Sequence, residues 1–173
     1  LGGSFSIIDT LIVIYEAILK RNDKFILSKS HSSFPLCILL QKRGLKPKLT
    51  THLEIDEKNG IFCTTGSLGH GLPIATGMAF ARKKMKKKGN IYVMISDGEC
   101  QEGTTWESAH FSVIKELSNL IVIIDDNKLQ GFGKTSEVLG ETSRLSKFKD
   151  ICFETYECDG HKIGDILIIL NKI

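Results

Sequence analysis

The chain has 173 residues, of which 42% are hydrophobic and 25% charged, and its formal net charge is +3. That is the balance of a globular domain able to bury a substantial core, and it is too weakly basic to name a nucleic-acid partner. The longest apolar runs, Ile121–Ile124 and Ile166–Leu170, fall far short of the ~20 residues that cross a bilayer, so no membrane partner is expected.

The five cysteines, Cys37, Cys63, Cys100, Cys152 and Cys158, form no CxxC pair and are odd in number. They read as reduced thiols of a cytoplasmic protein. No signal peptide is visible, and the chain opens at Leu1 without a methionine, so its true start is expected to lie upstream.

Taken in order, Ser4 is placed to cap an amphipathic helix. Its buried side would be Ile7, Ile8, Leu11, Ile12, Ile14, Tyr15, Ile18 and Leu19, and its end lies near Arg21. Lys24–Leu27 predicts a short strand, followed by Ser28-Lys29-Ser30-His31. A second helix is expected over Ser33–Arg43, stopped by Gly44, and Leu45–Gly60 is polar and irregular. Thr64-Thr65-Gly66-Ser67-Leu68-Gly69-His70-Gly71 then leads into a helix from Leu72 to Lys88. Glycines this dense before a helix mean close backbone approach, tight packing or an anion site. The pattern alone does not separate these readings. The basic cluster Arg82–Lys88 reads as a solvated helix C-terminus complementing the macrodipole, since no aromatics interleave with it.

The centre of the chain is Ile91–Leu129. Two apolar, β-branched runs, Ile91–Ile95 and Leu120–Asp125, have the composition of strands buried on both faces of a parallel sheet. Glu102–Glu116 between them is long enough for a crossover helix, buried through Trp106, Ala109, Phe111, Val113, Ile114 and Leu117. Such a unit ends both strands at one edge of the sheet, where open α/β sheets bind ligands. Asp97-Gly98 follows the first strand and Asn127 the second. A carboxylate, an amide oxygen and a backbone carbonyl are the hard donors that Mg²⁺ or Ca²⁺ selects, with phosphate oxygens and water completing a Mg²⁺ shell. Asp and Asn after strands are also ordinary turn residues; it is the pair, in this arrangement, that favours the metal. Beyond it, Gly131-Phe132-Gly133 predicts a turn over the site, Glu141–Phe148 a short helix, Cys152–Glu157 a strand and Ile163–Lys172 a final helix.

Ser96-Asp97-Gly98-Glu99-Cys100-Gln101-Glu102-Gly103, with Asp125-Asp126-Asn127 ending thirty residues after Asp97, resembles the thiamine diphosphate motif of transketolases. That motif is a Gly-Asp-Gly sequence with an asparagine at about this distance. Glu102-Gly103 and Glu107 match transketolases better than 2-oxo-acid dehydrogenases or deoxyxylulose-phosphate synthases. The resemblance runs from Gly2-Gly3-Ser4 to Asp159-Gly160-His161, with departures at Ser96 and Ser30 (glycine in the family) and Leu53 (proline).

The resemblance implies an α/β fold, an open doubly wound parallel sheet with helices on both faces, occupying residues 1–173 as one diphosphate-binding domain trimmed at both ends. It implies thiamine diphosphate with Mg²⁺, for which Ca²⁺ or Mn²⁺ would substitute. Asp97, Asn127 and the Leu129 carbonyl would hold the metal. Gly98, Glu99, Asn127 and His31 would contact the cofactor, and Gly66 and Leu68 belong to the segment that meets its aminopyrimidine. His31 and His52 would handle protons or bond the donor sugar's hydroxyls. Glu102 and Glu107 would join a carboxylate network near a subunit interface. From the residues alone, a loop histidine is a surface group and a helical glutamate a solvated one.

The implied reaction moves a two-carbon ketol unit from a ketose phosphate to an aldose. It needs a C-terminal partner subunit carrying the pyrimidine-binding domain, in a homodimer or heterotetramer. The chain is then a split subunit or a fragment of a longer protein. Two other classes stay open: a subunit of another thiamine enzyme of the 2-oxo-acid dehydrogenase type, and a non-catalytic assembly module of the same fold.

Overall fold

The computed structural model describes residues 2–140 and 144–173. Its centre is a three-stranded parallel sheet in the order β1 (Lys24–Leu27), β2 (Ile91–Ser96), β3 (Leu120–Asp125). All six residues of β2 are buried. The registers are Lys24↔Ile91 through Leu27↔Met94 and Ile91↔Leu120 through Ser96↔Asp125. The two faces of the sheet separate by alternation, as the pleat requires. Phe25, Leu27, Tyr92, Met94 and Ile121 pack with Leu11 and Ile14 near the N-terminus, Leu36 and Leu40 of α3 (Ser33–Lys42) and Ile166 of α8 (Ile163–Leu170). Ile26, Ile91, Val93, Ile95 and Leu120 pack on the other side with Leu72, Ala75 and Ala79 of α4 (Gly71–Lys84) and Ala109 of α5 (Gly103–Ile114). Both faces carry helices, so the doubly wound sheet expected from the two continuous apolar runs is present, with α5 as the crossover from β2 to β3.

Several elements differ from expectation. The N-terminal helix is not continuous. It divides into α1 (Gly2–Phe5), which contains Ser4 in place of a cap at that residue, α2 (Ile8–Val13) and a π-helical segment Ile14–Ile18. The break falls where the Ser6 hydroxyl bonds the Gly3 carbonyl (3.1 Å) and the Asp125 carboxylate (2.7 Å), contacts no local periodicity encodes. Helix α4 stops at Lys84, not Lys88. The chain turns on Lys86 at φ 52, with the Lys87 N–H reaching back to the Arg82 carbonyl (3.0 Å).

Cys152–Glu157 is not a strand. Cys152 adopts φ 70, and the Phe153 N–H returns to the Phe148 carbonyl (2.9 Å), closing α7 (Arg144–Asp150) without forming a ladder. Phe153 instead lies on Phe148, ring centroids 5.3 Å apart. Of the helix expected over Glu141–Phe148, Glu141–Ser143 lie outside the described residues. The predicted turn at Gly131-Phe132-Gly133 is the tip of a small hairpin, β4 (Leu129–Gln130) with β5 (Gly133–Lys134), followed by α6 (Thr135–Leu139). No helix among the described residues is long and apolar enough to cross a membrane.

Phe25 is 2% exposed between the sheet and Tyr15, whereas Ile114 is 73% exposed at the end of α5. Phe25→Ala should therefore lower unfolding free energy by about 3–5 kcal/mol. Ile114→Ala should change it by less than about 0.5 kcal/mol. Urea titration of both variants checks the contrast.

Candidate functional site

Parallel pairing aligns the carboxyl ends of the strands, and the site is built on that edge. The Asp97 N–H donates to the Asp125 carbonyl (3.1 Å), carrying the ladder one residue past β2. Asp97 is fully buried. Its Oδ1 accepts from the Gly98 N–H (2.9 Å) and its Oδ2 from the Thr135 hydroxyl (2.7 Å). Gly98 opens a single 3₁₀ turn, and a Cβ there would lie 3.1 Å from the Gln130 side chain. Gln130 in turn donates to Gln101 (2.8 Å), which donates to the Thr135 carbonyl (3.1 Å). The β4–β5 hairpin is thus fastened over the Asp97-Gly98 turn.

Asn127 occupies the corresponding place after β3. Its Oδ1 accepts from the Leu129 N–H (2.9 Å), an Asx turn made possible by the left-handed Lys128 between them (φ 65). Its Nδ2 donates to Asp125 Oδ2 (2.9 Å). In the hairpin, Leu129 faces Lys134 while the Thr135 N–H bonds the Lys128 carbonyl. Leu129 and Lys134 are therefore a pair that exchanges no ladder hydrogen bonds, and the Leu129 carbonyl is not consumed by its partner strand. A buried carboxylate, an amide oxygen oriented by its own turn and a carbonyl outside the ladder form a donor set that fits a hard divalent cation.

A small cleft opens beside this edge, between the loops that follow β1 and β2. His31 and His52, far apart in sequence, both line it, with Gly66 and Leu68 from the glycine-rich segment. The His52 ring sits directly against the place a Gly66 Cβ would occupy, and Gly66 has φ 134, so glycine is needed there twice over. Partial burial, then the nearby Lys29 ammonium, hold the His31 imidazole below the usual histidine range. At neutral pH it is an uncharged base.

The cleft floor is Glu99, 1% exposed. Its carboxyl accepts from the Ser28 hydroxyl, the Ser96 N–H (2.8 Å) and the Ser96 hydroxyl (3.2 Å). Ser96, the departure from glycine, therefore has a local function as a partner of Glu99. Leu53, the departure from proline, is 3% exposed in the core beneath the His52 loop.

Glu102 and Glu107 do not reach the cleft. Glu102 caps α5 and packs its side chain against Gly69, while Glu107 is exposed on the helix. Among residues for which the sequence offered no role, Lys29 and Asp125 form a buried ion pair, side chains 1% and 8% exposed. The signals were a lysine two residues after a buried strand and an aspartate ending another. His70 turns its Nδ1 to the Leu68 carbonyl (2.9 Å), and His161 pairs with Asp9 on α2 (3.0 Å).

An open parallel sheet with this donor-rich carboxyl edge belongs to the class of α/β proteins that receive ligands beyond their strand ends. Residues 13–172 match the family described as "Transketolase, thiamine diphosphate binding domain", and the chain belongs to that family. One of the named subunits of the apulose-4-phosphate transketolase of Actinobacillus succinogenes is 34% identical over 193 aligned residues, covering 99% of this chain and 70% of that protein. The SqwG subunit of the 6-deoxy-6-sulfo-D-fructose transketolase of a Clostridium species is 32% identical over 192, covering 99% and 70%. Both alignments are longer than the chain, so these relatives carry residues that it lacks within the shared span. Transketolase from Leishmania mexicana superposes with a TM-score of 0.86 at 20% identity, over 98% of this chain and 33% of that one. Transketolase from Campylobacter jejuni gives 0.77 at 22%, over 98% and 34%. These two establish the fold.

Burial raises the Glu99 carboxyl above its ordinary range, against the hydrogen bonds from Ser28 and Ser96. The folded chain therefore holds this proton more tightly than the unfolded one. The associated stability is complete below the unfolded value of about 4.3 and is lost as pH rises through the elevated folded value. Unfolding free energies between about pH 4 and 8 should fall for the native chain relative to Glu99→Gln, in which that loss is absent. Parallel curves for the two proteins would show a carboxyl that ionises freely.

Proposed function

We propose that the chain is the diphosphate- and metal-binding subunit of a two-subunit transketolase that moves a two-carbon ketol unit from a ketose phosphate to an aldose. The observation that carries the reading is the Ser96↔Asp125 register, which sets Asp97 and Asn127 at adjacent strand ends beside a cleft holding His31 and His52. Asp97, Asn127 Oδ1 and the Leu129 carbonyl would hold Mg²⁺. Gly98 and Glu99 on the turn after β2, with Gly66 and Leu68 across the cleft, would receive the cofactor. Thiamine diphosphate supplies the carbanion chemistry when bound, and the protein supplies orientation and electrostatics.

His31 and His52 act from the cleft mouth. An imidazole kept neutral accepts a proton from a donor hydroxyl and returns it to the product. Glu102, partly exposed at the N-terminus of α5, and Glu107, exposed on its side, do not line the cleft and are available to a partner surface. That placement supports an interface role for both. The two relatives above are named as subunits. This supports a C-terminal partner carrying the pyrimidine-binding domain, in a heterotetramer. Their names carry a sugar phosphate and a sulfonated sugar, which supports a donor with a terminal anionic group. Five free thiols, two of them exposed, support a reducing cytoplasmic setting.

Two experiments test the reading. Asp97→Ala should abolish Mg²⁺-dependent binding of thiamine diphosphate in calorimetry, and unchanged affinity would remove the metal assignment. With the partner subunit supplied, His31→Ala should lower kcat by about 10²-fold or more while leaving cofactor affinity near native. A loss confined to cofactor binding would make His31 a cofactor ligand only. Ketol transfer by this chain alone would contradict the two-subunit reading.

A further inference from the structure

Lys29 lies two residues before His31, yet its side chain is 1% exposed and points away from solvent into the strand edge. There its ammonium bonds the Asp125 carboxylate and the Gly3 carbonyl, the latter at 3.1 Å. A buried ion pair is weak evidence of stabilisation, because desolvating both charges offsets most of their attraction. What this pair does provide is direction. Asp125 Oδ2 gathers donors from three separate segments: Lys29 after β1, Ser6 near the N-terminus (2.7 Å) and Asn127 Nδ2 after β3 (2.9 Å).

The amide of Asn127 has two ends of opposite character, and only the oxygen can serve a cation. With Asp125 charged, the NH₂ end is drawn to the carboxylate. The oxygen then faces the Leu129 N–H (2.9 Å) and the space beside it. Reversed, the NH₂ would meet the Leu129 N–H donor to donor and would present hydrogens to the metal. Lys29 supplies the counter-charge beside the Asp125 carboxylate in this buried position. The same ammonium, with the Ser32 hydroxyl (2.7 Å), holds the Gly3 carbonyl, so the N-terminal segment is tied into the same knot.

We propose that Lys29 is a positioning residue that, through Asp125, fixes the Asn127 amide with its oxygen toward the divalent cation. The inference rests on the metal site proposed above and extends it to a residue that touches neither metal nor cofactor.

Lys29→Met leaves Asp125 buried without a counter-ion and is expected to weaken the fold itself. The informative variant is therefore Lys29→Met with Asp125→Leu, which removes both charges at similar volume. Both variants and the native chain are assembled with the partner subunit, then titrated with Mg²⁺ at fixed thiamine diphosphate. Melting temperature and the side-chain amide resonances of Asn127 are recorded in parallel.

The double variant should recover most of the melting temperature lost by Lys29→Met. It should still need at least about tenfold more Mg²⁺ for half-saturation, equivalent to about 1.4 kcal/mol, with the Asn127 amide resonances displaced. Native Mg²⁺ dependence in the double variant would overturn the proposal. So would a double variant no more stable than Lys29→Met, since the pair would then be holding the fold. Absence of Mg²⁺-dependent binding in the native complex would instead remove the metal site and this inference with it.

Discussion

The pairing of Ser96 with Asp125 at the end of the β2–β3 ladder is the constraint on which the site depends. Parallel strands joined by a crossover helix must finish at the same edge, so a carboxylate after one and an amide after the other become neighbours without any further device. A slip of one residue would turn every side chain of a strand to the opposite face. Ile121 would leave the cluster that it shares with Tyr92 and Met94, and Asn127 would move away from Asp97. The two-sided core and the donor set are thus specified by one register, and the hydrophobic alternation that fixes it is also what gives the proposed metal ligands their places.

Around that edge the protein buries more carboxylate than an apolar core would choose. Asp97, Glu99 and Asp125 each hold hydrogen bonds from two or more groups, and each joins segments distant in sequence: Asp97 the hairpin, Glu99 the loop after β1, Asp125 the N-terminus. Polar links of this kind are directional where apolar packing is not, and a satisfied network in a low dielectric holds its members to one geometry. His31 and His52 belong to a different layer of the design. They sit on loops, one beside Gly3 and the other over Gly66, where small residues let backbone and ring approach closely. A rigid donor edge and a more open cleft mouth are compatible because the strand ends carry the first and the loops the second.

Much of this was legible in the sequence where burial alone decides structure. The three strands, α3, the crossover helix and the turn near Gly131 follow from short β-branched runs, amphipathic periodicity and glycine. The N-terminal helix departs from its periodicity because its break is made by Ser6 reaching Asp125, 119 positions away. Cys152–Glu157, expected as a strand, forms no ladder because Phe153 folds back on Phe148. The candidate residues Asp97 and Asn127 could be named from their places after two buried strands, and His31 and His52 only through the family resemblance. The Lys29–Asp125 pair could not, because a lysine after one strand and an aspartate ending another meet only once the sheet is assembled. Ser96 and Leu53, departures from the family pattern, are explained only by their contacts: the Glu99 carboxyl for one and the core under the His52 loop for the other.

The central claim is that one divalent cation sits between the ends of β2 and β3. Mn²⁺ substitutes for Mg²⁺ among hard oxygen donors and scatters anomalously. Crystals of the assembled protein grown with Mn²⁺ and thiamine diphosphate should therefore show one anomalous peak within bonding distance of the Asp97 carboxylate, Asn127 Oδ1 and the Leu129 carbonyl. Bound cofactor with its metal held by other residues, or with no peak at these three atoms, would contradict the account.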